Sequence, residues 1–206
     1  MVGQGTYGKV FLVKHKRRNK HFAMKVMKKE MVFSSDQDEG VKAEKEVMTM
    51  FDHPFIMKLE YSFQDEHKLY MVMEFVNGGE LFHHMRSHST KGFPESRAKF
   101  YAAQIILALE HMHNQGVFYR DLKPENILID KDGYLRITDF GLSKIISQGR
   151  SESKAGLRRT TTFCGTLEYM APEIMQNRNY SNSVDWFSFG LLLFEMLSGL
   201  NPFKNE

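Results

Sequence analysis

The sequence has a single cysteine, Cys164, in 206 residues. No internal disulfide can form. A small disulfide-stapled secreted fold is excluded, and a reducing compartment, cytoplasm or nucleus, is the expected location. Long apolar runs are missing too. The longest, Leu191-Leu192-Leu193-Phe194, falls far short of the roughly 20 residues that a membrane span needs, and no stretch reads as a secretory leader. Charge of one sign is not in excess. Lys and Arg number 28 against 25 Asp and Glu, a net charge of +3, which gives no ground for expecting a nucleic-acid partner. There is neither an internal repeat nor a low-complexity tract. What is present is ordinary globular composition, 42% hydrophobic and 26% charged, with enough chain for one large domain or two lobes.

The first informative stretch is GQGTYGKV, Gly3 to Val10. It fits G-x-G-x-x-G and nearly fits a P-loop, but Val10 stands where a P-loop has a magnesium-binding hydroxyl. The next residues, Val10-Phe11-Leu12-Val13, are β-branched and aromatic and read as a strand. Dinucleotide folds and P-loops both need a helix there, because its N-terminus holds the phosphates. Strand, glycine turn, strand is a hairpin whose backbone could lie over phosphates, or an ordinary glycine-rich hairpin. A second strand, Phe22 to Met27, carries Lys25 among apolar neighbours. In the amphipathic run Val41 to Phe51, the residues Val41, Glu44, Met48 and Phe51 share one face. Glu44 is thus a candidate anionic partner for Lys25, or else a stray acid on a solvated helix. Leu69 to Val76 reads as a central strand, broken by Asn77-Gly78-Gly79, a candidate joint between lobes.

In the second half, Glu95 to Gln115 reads as a helix with Ala98, Ala102, Ile105, Leu109 and Met112 on one face and Gly116 as its stop. His83, His84, His111 and His113 lack the i, i+4 spacing of a helical zinc pair, and no Cys or Asp cluster joins them. Then comes YRDLKPEN, Tyr119 to Asn126, which crowds Asp121, Lys123 and Asn126 onto a loop between apolar elements. Such a loop handles a substrate more often than it holds a fold. Short strands at Ile127–Ile129 and Tyr134–Ile137 follow, then Asp139 in DFG. The polar segment Ser147 to Thr162 places hydroxyls beside arginines. A last helix, Asn182 to Ser198, is apolar nearly all round and reads as a core helix.

Taken in order, GQGTYGKV, Ala23-Met24-Lys25, the helical Glu44, YRDLKPEN, DFG and APE at Ala171–Glu173 resemble the signature set of eukaryotic protein kinases. The D-x-x-x-x-N spacing from Asp121 to Asn126 matches the catalytic loop. YRD in place of HRD, TFCGTLEYMAPE from Thr162, NGGELF from Asn77 and VDWFSFG from Val184 resemble the AGC group of serine/threonine kinases, both its cyclic-AMP-dependent and ribosomal S6 kinase-like branches.

The resemblance implies an α+β, two-lobed fold. Residues 1–76 would form a β-rich N-lobe with one main helix, and 77–206 a mostly helical C-lobe. The family's first strand would begin before Met1, and its last helices and tail would follow Glu206. ATP and magnesium are the implied cofactors. The backbone of Gly3, Gln4, Gly5, Thr6, Tyr7 and Gly8 would cover the phosphates, and Lys25, held by Glu44, would grip them. Val10 and Ala23 would roof the adenine, with Met73 as gatekeeper and Glu74 and Val76 as its backbone partners. Asn126 and Asp139 would hold magnesium. Asp121 would orient the substrate hydroxyl and accept its proton. Lys123 would neutralise the transferring group, and Thr166 would contact both.

Glu80, Glu125 and Glu195 match positions that read substrate arginines, giving R-x-x-S/T-like protein substrates. Phe163, Leu167 and Met170 would line an apolar pocket for the residue that follows. Thr162 falls on the activation-loop phosphosite. Its phosphate would pair with Arg120 and Lys144, and an upstream phosphoinositide-dependent kinase, or the chain itself, would add it. Gly40 stands where many group members have a histidine that reaches that phosphate, so one tie between loop and helix is lost. The rival readings are a nucleotide-binding module without turnover, a P-loop or dinucleotide protein, and a small-molecule kinase.

Overall fold

The computed structural model describes residues 1–5, 8–34, 38–87, 92–146, 160–162 and 164–204. The first five strands form one antiparallel sheet. They are β1 (Gly3–Gly5), β2 (Gly8–Lys14), β3 (His21–Lys28), β4 (Leu59–Gln64) and β5 (Lys68–Glu74), and their order is β1-β2-β3-β5-β4. The strand after Gly8 is therefore real, as the β-branched run predicts. Register pairs Lys25 with Val10 on one side and Met71 on the other, and Ala23 with Leu12 and Met73. Side chains alternate across a pleated strand, so Ala23, Lys25 and Met27 share a face.

Between β3 and β4 lie α1 (Lys29–Ser34) and α2 (Asp38–Met50). Helix α2 buries Val47 and Met48 with Phe51 in the same core as Met27 and Met71 of the sheet. Glu44 lies one turn before Met48, and that stripe carries it inward, where it is 4% exposed. Neither β4 nor α1 is visible in the sequence pattern. Four of the six residues of β4, Tyr61 to Gln64, are exposed and the other two are only half-buried, so no alternation marks it.

The second lobe is built on α4 (Glu95–Asn114), which follows α3 (Leu81–Ser87). Helix α4 buries Ala98, Tyr101, Ile105, Ala108, Leu109 and Met112, and packs against α6 (Ser183–Ser198). Gly116 ends α4 with φ 77°, where a side chain would be strained. Two small ribbons complete the layer. In one, β6 (Val117–Phe118) pairs with β9 (Lys144–Ile145); in the other, β7 (Ile127–Ile129) pairs with β8 (Leu135–Ile137). Of α6, only one side is core: Val184, Leu191, Leu192 and Met196 are buried, while Trp186, Phe194 and Leu197 are exposed.

The joint between lobes follows β5, which ends at Glu74, two residues before the expected Val76. Backbone bonds fix it to the second lobe, Gly78 N–H to Ile129 O at 2.8 Å and Ile129 N–H to Gly79 O at 2.8 Å. A Cβ on residue 78 would stand 2.3 Å from the Ile129 carbonyl oxygen, so only glycine allows the approach. A second tie joins Met57 N–H to Ile137 O and Ile137 N–H to Phe55 O, both at 2.9 Å.

Candidate active site

A cleft of about 920 Å³ opens between the lobes. Its upper wall comes from the sheet and α2: Gly3, Gly8, Val10, Ala23, Lys25 and Glu44. Met73, Glu74 and Val76 line its back. From below come Asp121, Lys123, Glu125, Asn126, Asp139 and Thr166, with Glu80 at the side. Thr6, Tyr7 and Phe163, expected at this site, lie outside the described residues, as does the side chain of Gln4.

Lys25 Nζ donates to both oxygens of Glu44, at 2.6 and 2.7 Å. Burial works against the ammonium, but Glu44 and then Asp139 outweigh it and hold Lys25 above its ordinary value. Burial pushes the Glu44 carboxyl up, although Lys25 pulls it down. The charge on Glu44 therefore depends on one ammonium. Lys25→Met should leave a buried carboxylate alone and lower stability by up to ~3 kcal/mol near neutral pH. A raised folded-state value means that Glu44 supports folding below its unfolded value, about 4.3, and loses that support as pH rises through the folded one. The gap between variant and parent should thus widen from pH 5 to pH 8. Urea unfolding at both values checks it; an unchanged gap rejects the dependence.

The lower wall is an interlocked set. Asp121 Oδ1 accepts from Thr166 Oγ1 at 2.8 Å. Its Oδ2 accepts from Asn126 Nδ2 at 2.8 Å and lies 2.9 Å from Lys123 Nζ. Lys123 also donates to Thr166 Oγ1 at 2.7 Å. Three polar groups, from Lys123, Asn126 and Thr166, thereby fix one carboxylate, the last of them from 45 residues away.

The loop holding Asp121 is shaped from beneath. Arg120 has φ 69° and Asp139 φ 57°, left-handed conformations that a residue with a side chain adopts at a cost of ~1–3 kcal/mol. What over-determines the first is Asp185 on α6, 0% exposed. Its Oδ1 accepts from Arg120 N–H at 2.7 Å, and its Oδ2 accepts from Tyr119 N–H at 2.9 Å. His113 Nε2 lies 2.7 Å from that same Oδ2, which accounts for one of the histidines by a carboxylate contact. Sequence reasoning gave Asp185 no role. The signal was there, a lone acid between Val184 and Trp186 in an apolar helix.

The other expected site residues are not all brought together. Glu80 and Glu125 reach the cleft, but Glu195 does not; it accepts a hydrogen bond from Tyr169, whose phenol burial and then Glu195 hold far above its ordinary value. Leu167 is exposed, whereas Met170 packs with Ala171, Ile174 and Tyr180, so the two do not share an open pocket. Arg120 does not touch Thr162. Its Nε donates to Leu142 O at 2.7 Å and its Nη1 to the Tyr180 hydroxyl at 3.0 Å. Tyr180 in turn donates to Thr162 O at 2.7 Å, and Lys144 Nζ stands 3.4 Å from Thr162 Oγ1. Tyr180 is a second residue that sequence reasoning missed. Gly40 lies on the cleft wall.

Two lobes, a glycine turn over a cleft, a buried Lys–Glu pair and a carboxylate locked opposite a second acid define a class of protein. The protein kinase domain matches residues 1–206, and the chain belongs to the protein kinase family. Among its relatives are Protein kinase 2 of Dictyostelium discoideum, 50% identical over 206 residues, and a RAC family serine/threonine-protein kinase homolog of that organism, 46% identical. Serine/threonine-protein kinase sgk-1 of Caenorhabditis elegans is also 46% identical. All of the chain is covered in each case, but only 41%, 45% and 42% of those relatives. The chain thus spans less than half of their length.

Proposed function

We propose that the chain transfers the terminal phosphoryl group of ATP to serine or threonine hydroxyls of proteins with arginine before the acceptor. The observation that carries this reading is the Asp121 carboxylate, held by Thr166, Lys123 and Asn126 in one cleft with Lys25, Glu44 and Asp139.

The donor set suits the cofactors. Among the described residues no three His, Cys, Asp or Glu stand together. Asn126 and Asp139 instead offer two hard oxygens, which fits magnesium, an ion that takes most of its ligands from water and phosphate. The Asn126 amide nitrogen is spent on Asp121, which leaves its oxygen for a metal. Magnesium-bound ATP supplies the phosphoryl group and the charge that neutralises it. Lys25 grips the phosphates, kept in place by Glu44. Asp121 accepts a hydrogen bond from the substrate hydroxyl, aligns it and takes its proton. Lys123 lies close enough to Asp121 to share charge with the transferred group. Glu80 and Glu125 offer carboxylates at the cleft edge for guanidinium groups.

With labelled ATP, magnesium and an R-x-x-S peptide, the chain should transfer label, and replacing the arginine by alanine should raise KM about tenfold or more. Nucleotide binding without transfer would overturn the enzyme reading in favour of a binding module.

Thr162 is the site at which phosphorylation would act. A phosphate there meets Lys144 directly and reaches Arg120 once the Tyr180 link gives way. Charge-assisted bonds of this kind order a loop. An upstream phosphoinositide-dependent kinase is the proposed donor, in a cytoplasmic or nuclear setting. Thr162→Ala should lower kcat/KM about tenfold or more, with Thr162→Glu between. Steady-state kinetics on the protein phosphorylated at Thr162 checks it; equal rates for parent and alanine variant reject the switch.

A further inference from the structure

The turn between β2 and β3 carries the sequence KHKRRNKH, Lys14 to His21. Lys14, Lys16, Arg17, Arg18 and Lys20 are all exposed. Five cations exceed the net +3 of the whole chain, so the remainder is net acidic. The first acid in the sequence is Glu30, and no acidic residue therefore lies on β1, β2 or β3. Among the described residues, none of the five has a carboxylate within ion-pair distance. Nothing in the site described above uses them.

The turn is also built to hold its shape. His15 Nδ1 accepts from the backbone N–H groups of Arg17 and Arg18 at 3.2 and 3.1 Å. His15 N–H reaches Lys20 O at 2.9 Å, and Asn19 N–H reaches His15 O at 3.0 Å. Asn19, at φ 55°, takes the left-handed position that asparagine tolerates. The His15 ring stands against Phe22 and Tyr61, with centroids 6.4 and 6.2 Å away. Lys20 lies over the Phe22 ring at 5.2 Å. An ordered, convex tip thus presents cations that are not neutralised within the protein.

We propose that this tip is an electrostatic docking surface for an anionic lipid membrane. Its chemistry favours that partner. A tip offers no groove for an acidic peptide, and its flexible cationic arms suit a broad, diffuse negative surface. Single-stranded nucleic acid needs aromatic rings open for base stacking. Here Phe22 is buried and the ring of Tyr61 is turned toward Phe22 and His15. Position fits as well. Strand β2 begins beside the glycine turn and runs for seven residues to Lys14. The tip is therefore about 20 Å from that turn, and a membrane seated on it leaves the turn clear. Each cation near an anionic leaflet contributes about fivefold in partition, and the attraction fades within a Debye length.

The test is sedimentation of the 206-residue chain with phosphatidylcholine vesicles, with and without about 30% phosphatidylserine, at ~0.1 M salt. Binding is expected only with phosphatidylserine and should be lost on raising salt to ~0.5 M. In Lys16→Gln/Arg17→Gln/Arg18→Gln/Lys20→Gln it should fall at least about 100-fold, while the melting temperature and peptide kinase rate stay at parent values. Equal binding by that variant, or binding indifferent to phosphatidylserine, overturns the proposal. So does a single-stranded oligonucleotide that displaces the chain from vesicles at equal phosphate concentration.

Discussion

Asp121→Asn should lower kcat for peptide phosphorylation by about 10²–10⁴-fold, the range that a positioned general base contributes. The geometry makes this substitution informative. Asparagine keeps the size of the side chain, and its oxygen can still accept from Thr166, 2.8 Å from the carboxylate in the parent. The other position becomes an NH₂ group. It then faces Lys123, formerly at 2.9 Å, and Asn126 Nδ2, at 2.8 Å, both of which are donors. The variant loses its proton acceptor and places donor against donor. KM for ATP should change little, because Lys25 and Glu44 are untouched. Stopped-time assays under saturating ATP, with thermal melting as the control for folding, separate the two effects. A variant that turns over at the parent rate would remove Asp121 from the chemistry.

Asp185→Ala should cost about 3–5 kcal/mol of folding stability, a large share of the 5–15 kcal/mol that a domain has. Its carboxylate serves the N–H groups of Tyr119 and Arg120 and the ring of His113, all from a position 0% exposed. Alanine strands these buried groups, at about 1–3 kcal/mol for each unsatisfied donor. It also frees Arg120 to leave φ 69°, so the loop carrying Asp121 loses its shape and activity falls with stability. Asp185→Asn should lie between, since one amide oxygen can accept but the NH₂ cannot. Urea titration of both variants measures the effect. An alanine variant with the parent's midpoint would show that α6 does not brace the loop.

The contrast between Glu44 and Asp185 shows what a sequence makes legible. Glu44 belongs to a local pattern, Val41, Glu44, Met48 and Phe51 on one helical face, and its partner lies on a strand marked by its own apolar run. Period and polarity together point it inward. Asp185 also stands out as an acid in an apolar helix, but what it accepts from is backbone, 65 and 66 residues away. Every residue has a backbone N–H, so nothing in the letters names the partner. Edge strand β4 escaped for a different reason: with so little of it buried, hydrophobicity does not alternate along it. Glu195 matches an arginine-reading position by resemblance; that its side chain also accepts from Tyr169, 26 residues earlier, is marked by no local pattern.

Asp185 also sets a clock on the newborn chain. Tyr119 leaves the ribosome 66 residues before the carboxylate that will hold its N–H, an interval of about 3–13 s at ordinary synthesis rates. Asp121 and then Asp139 emerge within that interval, yet the loop that carries Asp121 has no brace until α6 is made. Until α6 emerges, the backbone N–H groups of Tyr119 and Arg120 lack the carboxylate that accepts from them, so the loop carrying Asp121 takes its final shape only after Asp185 has been made.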